Sequence, residues 1–204
     1  MIKCEFAEKL YEILIIHEFL NKYKGSNVYC PSQYKESKLG YDALFNLKGT
    51  RKIIILQFKI SQMYIKSPVY FSSSSNCFKF ELHKKNNYYQ HNKLVKYNKS
   101  KKYLALYCSP RFTSNNDLYK YCCSSQIIQN SFLGKPIYKI SDDKYHYVNY
   151  NDIEAYQHSD KFNELEQINL NTIDKVICEL PEISQQEFCE IINDCNEQSI
   201  FLLI

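Results

Sequence analysis

At 204 residues, with 45% hydrophobic residues, 19 tyrosines and 12 phenylalanines, the chain has enough apolar material for a packed core, which argues against wholesale disorder. No stretch approaches the roughly 20 consecutive apolar residues of a membrane span, and the N-terminus carries acids where a signal peptide would be basic and apolar. We therefore expect a cytoplasmic protein that binds no membrane. Nine cysteines without a CxxC pair predict reduced thiols.

The net charge of +4 is divided very unevenly along the chain. Residues 1–111 hold 20 Lys and Arg against 7 Asp and Glu, a net charge of +13, whereas residues 112–204 hold 6 against 15, a net charge of −9. A basic half is typical of a surface that faces a polyanion, although two solvated faces of one domain would give the same numbers. We predict a core over residues 1–111 and an acidic C-terminal elaboration over residues 112–204 packed on it. The acidic half is a candidate surface for a protein partner or for self-association.

Residue periodicity predicts the elements of the basic half. A first helix is predicted over residues 5–23, ended by Gly25, and residues 28–38 are predicted to be a polar loop. Strands follow at 41–47, 53–60 and 77–83, then a helix at 89–99 and a strand at 103–108. Residues 53–60 are apolar on both faces, which predicts a central strand covered on each side.

The signal is weaker after Arg111. It predicts a helix over 116–123, strands at 137–140 and 145–150, a helix over 153–165 and a helix from Ser184 to about residue 195. Residues 170–178 are ambiguous, and 199–204 are a short strand or a buried tail. The chain order therefore predicts an α/β fold: an αβββαβ core with helices on both faces of a mixed sheet, followed by a C-terminal α+β extension.

Two polar residues stand at the end of the predicted central strand. Gln57 and Lys59 are two positions apart, so their side chains leave the strand on the same face. Burial of an unpaired lysine is costly, which predicts an acidic or metal-bearing group beside it. Asp42 lies on the preceding strand, and a turn over residues 48–51 would bring the two strands side by side.

An aspartate, an amide oxygen and an ammonium group in one place suit phosphodiester hydrolysis assisted by Mg²⁺ or Mn²⁺. Asp42 would hold the cation, Gln57 would add an oxygen ligand, and Lys59 would orient the attacking water and stabilise charge on the phosphate. The simpler alternatives are a solvated aspartate, a glutamine bonded to backbone and a lysine that reaches solvent at the sheet edge.

The segments Gly40-Tyr41-Asp42 and Gln57-Phe58-Lys59, on successive strands of the predicted order, resemble the PD-(D/E)xK nuclease superfamily of restriction-endonuclease-like proteins. Gln57 departs from the commonest pattern, in which an Asp or Glu stands at that position. The resemblance covers roughly the first 110 residues and leaves the rest unmatched. The GYDA and LQFK segments also resemble a group of uncharacterised bacterial proteins, which implies no activity.

The superfamily resemblance implies a metal-dependent endonuclease or exonuclease that cleaves DNA, with a mobile-element or phage-defence system as one context. It also implies that Glu18, on the first helix, is a further catalytic and metal-binding residue; Glu12 and Glu36 remain alternatives for that role. Gln90 and His91 look like the glutamine-bearing helix motif of the RecB-like branch, although Leu94 replaces the tyrosine expected there.

A basic tract with interleaved tyrosines predicts a nucleic-acid surface. Its candidate contact residues are Lys84, Lys85, Gln90, His91, Lys93 and Lys96. The alternatives are an ordinary solvated helix face and, for His91, a structural role. For the whole chain, the alternative to a nuclease is a catalytically inactive nucleic-acid-binding or protein-interaction module on the same fold.

Overall fold

A computed structural model describes residues 1–48, 52–71, 75–83, 85–142, 144–158, 162–193 and 200–202. Over these residues the chain is a mixed α/β protein with two sheets and six helices. The helices are α1 (Glu8–Lys22), α2 (Gln33–Leu39), α3 (Lys85–Lys99), α4 (Asn115–Cys123), α5 (Leu170–Glu179) and α6 (Gln185–Asn193). The strands are β1 (Ile2–Lys3), β2 (Asn27–Cys30), β3 (Ala43–Leu47), β4 (Lys52–Phe58), β5 (Gln62–Met63), β6 (Phe78–Glu81), β7 (Tyr103–Pro110), β8 (Ser131–Lys135), β9 (Tyr147–Tyr150), β10 (Ala155–His158), β11 (Phe162–Glu164), β12 (Glu166–Gln167) and β13 (Ile200–Leu202).

The seven-stranded sheet has the order β12-β8-β7-β4-β3-β2-β13. Strands β2, β3 and β4 form an antiparallel meander, and β7 lies parallel to β4 after a connection that contains α3. The central position predicted for residues 53–60 is confirmed for β4, whose residues are buried throughout. Because β4 has a neighbour on each side and a hydrophobic layer on each face, its sequence is apolar without alternation.

Two hydrophobic cores cover the two faces of this sheet. One core joins α1, α4 and α5 to the face that carries Phe45 and Leu56. The other joins α3 and the six-stranded sheet, of order β1-β5-β6-β9-β10-β11, to the face that carries Leu44 and Ile55. Helices therefore lie on both faces of a mixed sheet, as expected, but the second face is covered by another sheet as well.

The structure corrects two predictions for the basic half. Residues 28–38 are not a loop, because they contain most of β2 and the short helix α2. The strand predicted at 77–83 exists as β6, but it joins the six-stranded sheet. Phe78 and Phe80 alternate with polar residues, which shows that this strand has one buried face. The alternation does not specify which sheet the strand joins.

The chain after Arg111 contributes strands to both sheets. Strand β8 pairs with β7 in the larger sheet, and β9 pairs with β6 in the smaller one. Residues 137–140 form no strand, and the helix predicted over 153–165 is wrong, since β10 and β11 occupy that segment. Burial alternates there with a period of two: Ala155 and Gln157 are buried, whereas Tyr156 and His158 are partly exposed. Neither sheet is complete without residues from both sides of Arg111.

Two general expectations can be compared with the described residues. Seven of the cysteines in these ranges are free thiols, and Cys77 and Cys108 are buried. In the same part of the chain, no helix combines the length and the apolar character that a membrane crossing requires.

Close packing at the entrance to β3 explains the glycine of the Gly40-Tyr41-Asp42 segment. Gly40 ends α2 in the left-handed region, with φ of 81°. A Cβ atom at Gly40 would lie 2.9 Å from the Cβ of Lys93 and 3.2 Å from the carbonyl oxygen of Gln90, both on α3. The missing side chain therefore allows the chain to pass directly against α3 just before Asp42.

Gly40→Ala should lower the free energy of unfolding by about 1–3 kcal/mol, because alanine adds both left-handed strain and a clash with α3. Urea unfolding monitored by circular dichroism measures this loss. Gly25→Ala is a matched control, since Gly25 has φ of 76° but its added Cβ would contact only the flexible side chain of Lys48. A loss at Gly40 no larger than the loss at Gly25 would contradict the close approach of α3.

Candidate functional site

The predicted site residues lie beside the start of β3 and at the end of β4, which are neighbouring strands of the larger sheet. Asp42 immediately precedes β3, and Gln57 is the second-last residue of β4. The antiparallel register pairs Ala43 with Leu56, and the Asp42 backbone nitrogen donates to the Leu56 carbonyl oxygen at 3.0 Å. The short separation along the chain and this register bring the Asp42 and Gln57 side chains together.

The Asp42 carboxylate is anchored by two hydrogen bonds from β4. Its Oδ2 accepts from the backbone nitrogen of Phe58 at 2.6 Å and from Nε2 of Gln57 at 2.8 Å. Asp42 is 8% exposed and Gln57 2% exposed. The Oε1 atom of Gln57 is buried and has no hydrogen-bond partner among the described residues. A buried orphan oxygen is unusual in a folded protein and is a potential ligand atom.

Lys59 follows β4 and is only 8% exposed. Its backbone nitrogen donates to the Cys108 carbonyl oxygen at 3.0 Å, which continues the β4–β7 pairing by one residue. Within the described part of the chain, its ammonium group takes part in no recorded hydrogen bond or ion pair. Its positive charge acts to lower the pKa of Asp42 and of His83, which shows that Lys59 is near both groups.

A second carboxyl group accompanies Asp42. Burial raises the pKa of Asp42 well above its ordinary value, and the charge of Glu36, on α2, raises it further. Burial also raises the pKa of Glu12 on α1, although Lys9 pairs with its Oε1 at 2.6 Å. Glu36 acts electrostatically on both residues. We call Glu12, Glu36 and Asp42 the acidic cluster.

The structure does not bring Glu18 into the acidic cluster. Its two carboxylate oxygens accept the backbone N–H groups of Ile127 and Ile128, at 2.8 and 3.3 Å. Glu18 lies six residues after Glu12, which is about 9 Å further along the helix. Its role in this structure is to satisfy two backbone donors. Of the two alternatives that the sequence left open, Glu36 acts directly on Asp42, and Glu12 lies near Glu36.

The α3 residues with a predicted nucleic-acid role are placed differently from one another. Lys84 and the side chain of Lys85 lie outside the described residues. Gln90 and Lys93 are partly exposed and Lys96 is exposed. The Lys93 ammonium lies 5.2 Å from the centre of the Tyr89 ring. Lysines of α3 are therefore present at the surface.

His91 is an interior residue of α3, not a surface one. Its Nδ1 lies 2.8 Å from the Tyr107 hydroxyl, and its Nε2 lies 2.7 Å from the carbonyl oxygen of Tyr138. Burial lowers the pKa of His91 to about 4, so the ring is neutral at physiological pH. With both nitrogens engaged inside the protein, the imidazole has no group left for a phosphate.

A pocket of about 190 Å³ adjoins Lys59. Its polar lining comes from α1, from the segment after β4 and from β6, and its residues are Glu8, Lys59, Ile60, Gln62, Lys79, Phe80, Glu81 and His83. The charge of Lys59, followed by burial, lowers the pKa of His83, which favours the neutral imidazole. No sequence pattern predicts a role for Glu8, Lys79 or His83. Lys79 and His83 can be placed beside the pocket only when β6 is known to belong to the six-stranded sheet.

Comparison with known proteins adds no assignment: no family model, curated protein or solved structure matches this chain. Among the described residues there is also no group of three or more His, Cys, Asp or Glu side chains placed to hold a metal ion. The geometry of the strand ends is therefore the basis for a functional interpretation.

Proposed function

We propose that this protein hydrolyses phosphodiester bonds in DNA with the help of a divalent cation, at the site formed by Asp42, Gln57 and Lys59. The observation that carries the proposal is the contact of Asp42 with Gln57 at the end of β4, beside a buried lysine that has no recorded ion-pair partner. A site of this composition suits a reaction in which negative charge develops on a phosphate.

The donor set fits a hard cation. Asp42 and Glu36 provide carboxylate oxygens, and the orphan Oε1 of Gln57 provides an amide oxygen, which are the ligand types that Mg²⁺ and Mn²⁺ prefer. Glu36 acts to raise the pKa of Asp42, and a cation bound near both carboxylates would relieve that unfavourable interaction. When bound, Mg²⁺ or Mn²⁺ supplies positive charge to the scissile phosphate and lowers the pKa of the attacking water.

The side chains of this chain would divide the remaining work. The Phe58 N–H and the Gln57 amide hold one oxygen of Asp42, so the carboxylate keeps a fixed orientation without reorganisation during the reaction. Lys59 directs its ammonium group at the phosphate and stabilises the charge that develops there. Exposed lysines of α3, such as Lys96, contact more distant phosphates of the substrate.

The order of elements around the site also supports the proposal. In the larger sheet, α1 is followed by β2, β3 and β4, then by α3 and by β7 beside β4. Apart from α2, which lies between β2 and β3, and from β5 and β6 of the other sheet, this order is compatible with the αβββαβ series that the resemblance to PD-(D/E)xK nucleases implies. The first strand of the series is β2, a segment for which the sequence predicts a loop.

A second candidate is a nucleic-acid-binding module without turnover. The observation that favours it is the Gln57 amide, which donates to Asp42 where the commonest superfamily pattern has a second carboxylate. Among the described residues, no group of three or more His, Cys, Asp or Glu side chains is placed to hold a metal ion, which points the same way. This candidate predicts salt-sensitive binding of nucleic acid and no hydrolysis.

The two candidates are separated by incubation of the full chain with plasmid, linear duplex and single-stranded DNA in Mg²⁺, Mn²⁺ or EDTA. The proposed function requires cleavage products in at least one divalent cation and none in EDTA. Binding of DNA without cleavage products under every condition would reject hydrolysis and support the nucleic-acid-binding module without turnover.

A further inference from the structure

The six-stranded sheet presents aromatic side chains on the face turned away from the larger sheet. Phe80 of β6 and Val148 of β9 point into the core between the sheets, so Lys79 and Tyr147, which alternate with such residues, point outwards. Tyr147 stacks on His158 of β10, with ring centres 4.4 Å apart and planes at 16°. Tyr145 lies 5.8 Å from Tyr147 and is 53% exposed. We call Tyr145, Tyr147 and His158 the aromatic ladder.

Lys79 connects the aromatic ladder to the pocket beside the strand-end site. Its ammonium nitrogen lies 4.2 Å from the centre of the Tyr147 ring and 5.1 Å from that of Tyr145. The same lysine lines the pocket together with Lys59 and His83. One surface therefore runs from the aromatic rings, past Lys79, to Lys59 in the pocket.

Each of the two carboxylates that line the pocket already interacts with a group of the protein itself. Glu8 accepts the backbone N–H of Ile60 at 3.0 Å, and Glu81 acts electrostatically on Tyr145. Lys59 has no such partner among the described residues, and it is more than nine-tenths buried while lining the pocket. An ammonium group without a hydrogen-bonded partner that lines an open pocket can bind an anionic group of a ligand.

We propose that this surface binds a single strand of nucleic acid, with bases stacked on the aromatic ladder and phosphates held by Lys79 and Lys59. The inference rests on the proposed function and adds the substrate class: an unpaired strand, such as a single-stranded end or flap, enters the site across the six-stranded sheet. Bases in a duplex are stacked on each other, so only an unpaired base offers its face to a tyrosine ring. Cations alternating with aromatic rings suit the alternation of phosphate and base along such a strand.

Fluorescence anisotropy with a labelled oligothymidine of about 12 nucleotides tests the proposal. The measurement uses the full chain in EDTA, where no divalent cation supports hydrolysis, with a blunt duplex of the same length as the comparison. The wild type should bind the single strand more tightly than the duplex. Tyr145→Ala should weaken binding of the strand about tenfold, because one base loses its stacking partner.

Two variants make the result specific. Tyr145→Phe keeps the ring and should bind as the wild type does. Tyr119→Ala removes a tyrosine that is 74% exposed on α4 and should also leave the affinity unchanged. Circular dichroism spectra identical to the wild type ensure that each variant is folded. Equal affinity of the wild type for strand and duplex, or unchanged affinity in Tyr145→Ala, would overturn the proposal in favour of a protein-binding face.

The outcomes also separate this inference from the proposed function. Selective binding of the strand in EDTA, followed by no cleavage in Mg²⁺ or Mn²⁺, would support the aromatic ladder and reject hydrolysis. Cleavage in Mg²⁺ by a protein whose Tyr145→Ala variant binds the strand normally would support hydrolysis and reject the ladder.

Discussion

Replacement of Lys59 by methionine should reduce the rate of divalent-dependent DNA cleavage by about 100-fold or more, since one preorganised charge on the phosphate is lost. Methionine keeps most of the length of the aliphatic stem and removes the ammonium group. Because Lys59 is 8% exposed and has no recorded ion-pair partner in the described part of the chain, the variant should fold at least as stably as the wild type. Initial rates on a labelled DNA substrate, with urea unfolding in parallel, measure both effects.

Three further variants define where the chemistry resides. Asp42→Ala should abolish cleavage, because it removes the carboxylate that both Gln57 and Phe58 orient. Glu18→Gln is the matched control on α1: its carboxylate serves two backbone N–H groups, so the variant should lose some stability and keep its cleavage rate. Lys96→Ala should weaken binding of DNA only slightly. Cleavage at the wild-type rate by both Lys59→Met and Asp42→Ala would remove the site from consideration.

Asp42→Asn should raise the free energy of unfolding at pH 8 by about 1–2 kcal/mol while it abolishes cleavage. Burial and the neighbouring Glu36 raise the pKa of Asp42 in the folded protein, so the folded state binds this proton more tightly than the unfolded chain does. The stability that the proton contributes is fully present below the ordinary pKa of 3.8 and is lost as the pH rises through the raised value. Asparagine keeps an oxygen to accept from Phe58 and Gln57, and it carries no charge to repel Glu36.

Urea unfolding at pH 5 and pH 8 checks this prediction, with the gain in Asp42→Asn larger at pH 8. Asp174→Asn is a control for which the opposite change in the free energy of unfolding is expected. Burial acts to raise the pKa of Asp174, but hydrogen bonds from Lys22 and Tyr23 outweigh it and lower that pKa. Its replacement should therefore destabilise the protein at pH 8. Addition of Mn²⁺ should raise the melting temperature of the wild type and leave that of Asp42→Asn unchanged. A less stable Asp42→Asn at pH 8 would contradict the raised pKa.

The local contact in the site could be predicted from the sequence, and the contribution of a residue from another element could not be singled out. Asp42 and Gln57 lie on consecutive strands joined by a short connection, in a register that pairs Ala43 with Leu56. Their approach could be predicted because the interaction is local. The sequence left Glu36 as one of three candidate glutamates and did not single it out, because Glu36 belongs to a helix of seven residues with no buried side chain. A segment of that kind lacks the apolar periodicity by which helices are recognised.

The sequence by itself determined that β4 is a central strand, that Asp42 lies beside the end of β4 where Gln57 and Lys59 stand, and that the first half of the chain is basic. These properties depend on residue spacing and composition over short distances. Only the tertiary structure decided that β6 joins a second sheet, that Glu36 acts on Asp42 while Glu18 binds the backbone of Ile127 and Ile128, and that Lys79 joins the pocket to the aromatic ladder. Those contacts link residues far apart in the chain, and a local pattern specifies that a side chain is buried or exposed without specifying the element it meets.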